Sequence, residues 1–318
     1  MALLEVKALK KHFTVSISPM RHATLKAVDG IDFSLDKNRV FALVGESGCG
    51  KSTVARLLLR LIAPTAGEIR FRGENILGLK GGALKAFRKS VQIIFQDPFA
   101  SLNPRMTVFD ALSEPLKIHG LAGRAELKDR VSELLQSVGL GDVLDSYPHE
   151  FSGGQRQRIC IARALAVSPE VIVADEPLSA LDVSIQAQIL NLLLELKERT
   201  GISFVFISHD LRVVEYLSDE VAVMYLGKIV EVSKTEDLFG SPLHPYTEIL
   251  LSSAPSIKAD GRKKPELKGE VPSPINIPSG CPFHPRCHRR FEPCERVVPE
   301  LRQYKGRQVA CHLRNPAI

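Results

Sequence analysis

The chain contains no tryptophan, few aromatic residues (6%) and only six cysteines among 318 residues. It also lacks any uninterrupted run of about 20 apolar residues, the length a membrane-crossing helix needs. The two best candidates fail: 54–63 is broken by Arg56 and Arg60, and 185–196 by Gln186, Gln188, Asn191 and Glu195. A spanning helix is therefore excluded. Near the N-terminus, Glu5, Lys7, Lys10 and Lys11 interrupt what would have to be the apolar stretch of a secretory signal. The expectation is a cytoplasmic protein, where thiols stay reduced and cysteines serve as packing residues or metal ligands rather than as a disulfide framework. Internal repeats and low-complexity tracts are absent too. What is present, 44% hydrophobic and 25% charged residues, excludes a disordered chain. The length suits one large or two ordinary domains.

Charge and proline divide the sequence at similar places. The net charge of +6 is concentrated from Lys258 onward, where 13 basic residues face 6 acidic ones. A basic tail of this kind can touch phosphates, headgroups or an acidic partner, or simply be a solvated surface. Twelve of the 20 prolines lie in 242–318, where no long apolar periodicity survives. Before that point, short apolar runs at 39–44, 91–95, 171–174, 203–207 and 221–226 alternate with helix-period stretches. This pattern predicts a mostly parallel sheet covered by helices. The first 35 residues read as amphipathic strands joined by a polar loop at 18–24, with a further strand at 68–72, which predicts an antiparallel subdomain. Residues 107–147 are helical in period.

Chemistry enters directly after the strand at 39–44. Gly45-Glu46-Ser47-Gly48-Cys49-Gly50-Lys51-Ser52 matches G-x-x-x-x-G-K-[ST], followed by Thr53 and an apolar helical run. Glycines let such a loop curl so that successive N–H groups face phosphate oxygens, and the helix start adds its dipole. Lys51 can then reach the β- and γ-phosphates, and Ser52 can ligate Mg²⁺. The apolar run 171–174 leads into Asp175-Glu176, a pair suited to holding Mg²⁺ and acting on an attacking water, with Asp175 assigned to the metal and Glu176 to the water.

Between these two motifs lies Phe151-Ser152-Gly153-Gly154-Gln155-Arg156-Gln157-Arg158, leading into a helical run. Ser152 is a good N-cap, and the glycines leave backbone N–H groups bare at a helix start, a second anion site. The stretch resembles the signature sequence of ABC-type ATPases. That resemblance implies further roles: Gln96 as the glutamine touching Mg²⁺ and water, Ser179-Ala180-Leu181-Asp182 as the D-loop, His209 as the γ-phosphate sensor, and Phe13 as the ring stacking on adenine. Each has an ordinary use as well, Gln96 capping a turn, Asp182 starting a helix, Phe13 filling a core. The implied fold is an α/β P-loop NTPase of ABC type, over about 1–240, with an antiparallel β subdomain and a helical subdomain at about 97–165. In such ATPases one domain's phosphate loop faces another's signature, with ATP between them. Ser152, Gly153, Gly154 and Gln155 would then serve the neighbour's nucleotide, and the active unit would be a dimer.

Flanking sequence narrows the resemblance. Phe95-Gln96-Asp97-Pro98-Phe99-Ala100-Ser101-Leu102-Asn103-Pro104-Arg105, Tyr147-Pro148-His149, Leu243-His244-Pro245-Tyr246-Thr247 and Pro272-Ser273-Pro274 are similar to the dipeptide/oligopeptide import ATPases of bacteria, nearer the second of their paired ATPase subunits. This implies ATP and Mg²⁺ as cofactors, and as partners a second ATPase chain, two membrane permeases and, indirectly, an extracytoplasmic solute-binding protein. The implied location is peripheral, on the cytoplasmic face of the membrane. Phe99 and Leu102 are candidates for the permease contact or for the chain's own core. Nickel, glutathione and oligosaccharide importers share such ATPases, and a non-transport ABC protein using its basic tail on nucleic acid is the competing class, although no nucleic-acid partner is expected.

In the extension 241–318, Cys281, Cys287, Cys294 and Cys311 supply four thiolates, a full ligand set for a [4Fe–4S] cluster or a structural zinc. Their spacing does not choose between these or reduced thiols; the resemblance points to the cluster. Cys49 and Cys160 read as incidental or packing residues.

Overall fold

The structure, a computed structural model, describes residues 2–18, 21–253 and 269–314. These form two compact units, one within Met1–Ser34, Val40–Gly73 and Ser208–Ile318, the other within Leu35–Arg39 and Glu74–Ile207.

The first unit carries five strands of the large sheet in the order Arg302–Tyr304, Arg307–Val309, Lys228–Lys234, Glu220–Tyr225, Val40–Val44. Val40–Val44 is buried at every position and pairs in parallel with Glu220–Tyr225, as continuous apolar strands do when both faces are covered. The runs at 39–44 and 221–226 thus pair in parallel as their apolar pattern predicts, and the remaining pairings in this unit, which are antiparallel, add Lys228–Lys234 and two strands from the tail, none of which lies in such a run. Arg302–Tyr304 and Arg307–Val309 form a hairpin whose two turn residues, Lys305 and Gly306, both have positive φ, the turn whose twist matches that of paired strands. Such three-residue strands are too short to leave a period in the sequence. A second sheet in this unit places Leu4–Ser18 between Arg21–Leu35 and Ala66–Phe71, antiparallel to the latter. Strand extends to Ser18 and resumes at Arg21, so most of the expected polar loop at 18–24 is strand; its residues 19–20, and the basic stretch within 254–268, lie outside the described residues.

The second unit carries the parallel strands Ser203–Ser208, Val171–Asp175 and Val91–Ile94. Helices Val108–His119, Leu127–Ser137 and Gly153–Leu165 pack on one another through Leu112, Leu116, Val131, Leu135 and Ile159, all nearly inaccessible. Leu102 is buried in this unit, whereas Phe99 is 64% exposed, so of the two candidate contact residues only Phe99 is available to a partner.

One buried carboxylate launches the C-terminal segment. Glu231, within Lys228–Lys234, is fully buried, and its two oxygens accept the N–H groups of Leu243 and His244, each at 2.9 Å. Burial raises its pKa, while those two donors act to lower it. Glu231→Gln turns one acceptor into a donor facing a backbone N–H. It should cost about 1–3 kcal/mol of stability, read as a lower urea midpoint with an unchanged m-value.

Candidate functional site

The phosphate loop leaves Val40–Val44 and enters the helix Lys51–Leu58. Two of its glycines are obligatory for steric reasons. At Gly45 (φ +152°) a Cβ would lie 2.2 Å from the Met224 carbonyl oxygen, and at Gly50 (φ +112°) 2.1 Å from that of Ala27. The backbone is thus pressed onto Glu220–Tyr225 and Arg21–Leu35 in a conformation only glycine adopts without strain. Ser47 and Gly48 form its exposed crest, and Cys49 is buried beneath. The helix begins at Lys51 with no side-chain cap, as suits a helix start that is to receive an anion. Lys51 is 4% exposed, and its ammonium donates to the carbonyls of Gly45 (2.8 Å) and Glu46 (3.1 Å). Ser52 and Thr53 follow, half-buried in the first turn. Phe13, in the same unit, is half-buried rather than a core residue, with the Lys11 ammonium 4.9 Å from its ring centre. His209 is exposed just after the end of the strand Ser203–Ser208.

In the second unit, Asp175 ends the buried strand Val171–Asp175 and is itself 8% exposed. Glu176 follows with φ +48°, a left-handed conformation that costs a non-glycine residue free energy and that clusters at functional sites. Its geometry is held on both sides: its N–H donates to Ile207 (2.9 Å) and its carbonyl accepts from Ser179 N–H and Oγ. Gln96 Nε2 donates to Glu176 Oε2 at 3.3 Å, so two residues 80 positions apart in the chain, assigned independently, are brought together. The Asp175 carboxylate is a hard oxygen donor of the kind Mg²⁺ takes, as is the Ser52 hydroxyl of the first unit.

The signature is a complete capping box: Ser152 Oγ accepts the Gln155 N–H, and Gln155 Oε1 accepts the Ser152 N–H. A Cβ on Gly154 would come 2.5 Å from Ile185 Cγ2, so this glycine also lets the helix Val183–Thr200 approach closely. Asp182 stands at that helix's N-cap position without a side-chain cap bond and is exposed. Sequence reasoning passed over Arg156, which is buried, donates to the carbonyls of Pro148 and His149, and lies 3.6 Å from the Phe99 ring centre. Arginines inside a signature helix give no signal of their own; only the fold shows that Arg156 ties this helix to the segment after Gln96.

Cys281, Cys287, Cys294 and Cys311 line one narrow cavity of about 10 Å³, together with His244, Phe283 and His312. None is in a disulfide. Burial pushes the Cys281 thiol up to about 12 and Cys311 to about 11, and raises Cys287 as well. These thiols keep their protons unless a cation displaces them. Among the described residues no group of three His, Cys, Asp or Glu stands close enough to hold a single metal ion. As placed, the four thiols do not form a metal site, and the cavity between them is too narrow for a larger group.

Gly50→Ala should abolish nucleotide binding and lower the melting temperature by several degrees, because its Cβ meets backbone rather than a movable side chain; calorimetric titration with MgATP and a thermal melt read both.

A family model described as ABC transporter matches residues 28–179, and one described as oligopeptide/dipeptide transporter, C-terminal region, matches residues 230–294. The chain is 48% identical over 314 residues to the dipeptide transport ATP-binding protein DppF of Escherichia coli (strain K12), covering 97% of this chain and 93% of that protein. It is 50% identical over 319 residues to the oligopeptide transport ATP-binding protein AppF of Bacillus subtilis (strain 168), covering 98% and 97%. Among solved structures, a dimeric ATP-binding cassette in a post-hydrolysis state, bound to ADP and Pi, superposes with a TM-score of 0.65 at 27% identity, over 73% of this chain and 98% of that one. With its phosphate loop, its acidic strand end and its capped signature helix, the chain belongs to the ABC transporter family of ATP-binding subunits, in the branch that carries the oligopeptide/dipeptide transporter C-terminal region.

Proposed function

We propose that this chain is the ATP-binding and hydrolysing subunit of a bacterial importer of dipeptides or oligopeptides. The observation that carries the reading is near-full-length identity of about half to peptide-transport ATP-binding proteins, joined to the Gln96–Glu176 contact at the strand end. No helix among the described residues is long and apolar enough to cross a membrane. Work on a solute therefore passes through other chains: two membrane permeases, supplied by an extracytoplasmic solute-binding protein. The exposed Phe99, stacked against Arg156, is the surface offered to a permease in this reading, with the chain at the cytoplasmic face of the membrane.

In the proposed mechanism the backbone of residues 45–53 wraps the phosphates of ATP and Phe13 stacks on its base. Lys51 exchanges its two carbonyl partners for phosphate oxygens, a change the loop permits because those partners are neutral. Ser52, Asp175 and Gln96 would hold Mg²⁺, which supplies charge neutralisation when bound. Glu176, steadied by Gln96, orients the attacking water and takes its proton as the bond to the γ-phosphorus forms and the bond from it to the β,γ-bridging oxygen breaks; ADP leaves with that oxygen. His209 senses the γ-phosphate. The signature residues Ser152, Gly153, Gly154 and Gln155, with Asp182, complete the site of a second ATPase chain. The dimeric form of the structural relative bound to ADP and Pi supports this arrangement.

The four tail cysteines are proposed to hold a [4Fe–4S] cluster. The reading rests on four thiols that line one cavity. Such a group would staple a segment that has little apolar core of its own.

Glu176→Gln should retain MgATP affinity, lower turnover at least about 100-fold and accumulate ATP-bound dimers on gel filtration; normal turnover would remove Glu176 from its role. Protein purified without oxygen should contain iron and acid-labile sulfide in equal amounts, both lost when the four cysteines become serine. Stoichiometric zinc in their place would end the cluster assignment.

A further inference from the structure

The tail does more than cover the unit that carries it: one of its side chains reaches into the phosphate loop. Arg286 lies one residue before Cys287 and is almost inaccessible, its side chain 5% exposed. Its two terminal nitrogens donate to the two carboxylate oxygens of Glu46, at 2.7 and 3.0 Å, across 240 residues of sequence. Glu46 is the second residue of the loop, and its other polar groups are held as well. Its N–H donates to the hydroxyl of Tyr246 at 3.0 Å, and its carbonyl accepts from the Lys51 ammonium at 3.1 Å. Behind these contacts Tyr225, Tyr246 and Phe283 pack ring against ring, with centroids 4.7–5.3 Å apart.

Stability alone does not account for the pair. A buried ion pair contributes little net stability compared with apolar residues of the same size, and Arg286 Nε is buried with no hydrogen-bond partner among the described residues. What the two-nitrogen contact supplies is geometry, because a planar guanidinium fixes a carboxylate in both position and orientation. Fixing the Glu46 side chain fixes its peptide unit, and that carbonyl sets where the Lys51 ammonium rests before phosphate arrives.

We propose that Arg286 is a positioning residue of the nucleotide site, holding the phosphate loop through Glu46 in the form that receives ATP, so that the cysteine-bearing tail sets nucleotide affinity. The inference rests on the reading of residues 45–52 as the phosphate loop. It gives segment 281–287, which carries two of the four thiols, a direct mechanical line to Lys51. By linkage, nucleotide binding would also stabilise this segment.

The test is calorimetric titration of the purified full-length chain with MgATP, alongside thermal melts. Arg286→Gln and Glu46→Gln should each raise the Kd about tenfold, equivalent to ~1.4 kcal/mol. The double variant should be no weaker than either single one, because both remove the same contact. Arg286→Lys, which keeps the charge but not the fork, should fall between. A role confined to folding of the tail would instead lower the melting temperature of Arg286→Gln and leave the Kd of Glu46→Gln at the wild-type value, and that outcome overturns the proposal. So does wild-type affinity in both single variants. If Arg286→Gln gives no cooperative melt, Glu46→Gln alone decides, since it leaves every residue of the tail unchanged. Lys51→Ala separates the two claims: it should lose MgATP binding, and wild-type affinity there would overturn the phosphate-loop reading and with it this one.

Discussion

The nucleotide site depends on a backbone pressed against backbone. Gly45 and Gly50 hold the phosphate loop within a carbonyl's contact distance of Met224 and Ala27, and at neither position is there room for a single additional carbon. That closeness is what lets the loop curl around an anion instead of running on as a strand. Because Met224 belongs to Glu220–Tyr225 and Ala27 to Arg21–Leu35, the loop's shape is a property of the whole first unit rather than of eight residues. Lys51 shows the same dependence: its ammonium donates to two carbonyls of its own loop.

The residues proposed to act in hydrolysis rely on a different device. Glu176 stands in a left-handed conformation, held by Ile207 on one side and by Ser179 on the other, with Gln96 against its carboxylate. A carboxylate fixed in this way has little freedom to turn aside, which suits the role proposed for it on an attacking water. The signature helix is built with comparable economy. Ser152 and Gln155 satisfy each other's N–H groups, while Gly154 admits Ile185. The glycine therefore answers a packing need as well as leaving N–H groups open toward an anion.

The C-terminal segment is integrated into the first unit at three levels. Glu231 anchors its start, the hairpin Arg302–Tyr304 and Arg307–Val309 extends the sheet, and Arg286 grips Glu46. Val309, fully buried, packs with Leu243 and Cys311 in a small cluster. Proline-rich and poor in apolar period, this segment gains order from contacts with elements before it, from 12 to 240 residues away.

Much of the molecule was legible in the amino-acid order because the features concerned are local. An apolar run such as Val171–Asp175 declares a buried strand wherever it occurs, and Gly45 to Ser52 spells out a loop whose chemistry lies in its own backbone. Ser152 and Gln155 form a capping box because they stand three positions apart at a helix start. Other features came from distance. Nothing near Arg286 marks it as a partner of Glu46, nothing near Gln96 names Glu176, and three-residue strands carry too few positions to show an alternation. The choice between Phe99 and Leu102, adjacent in type and nearly in sequence, was made by which way each side chain faces once the helices pack. Local pattern determined the elements and the chemical groups they carry; only tertiary packing decided which of those groups meet, because pairing across 80 or 240 residues leaves no periodic trace in either partner's neighbourhood.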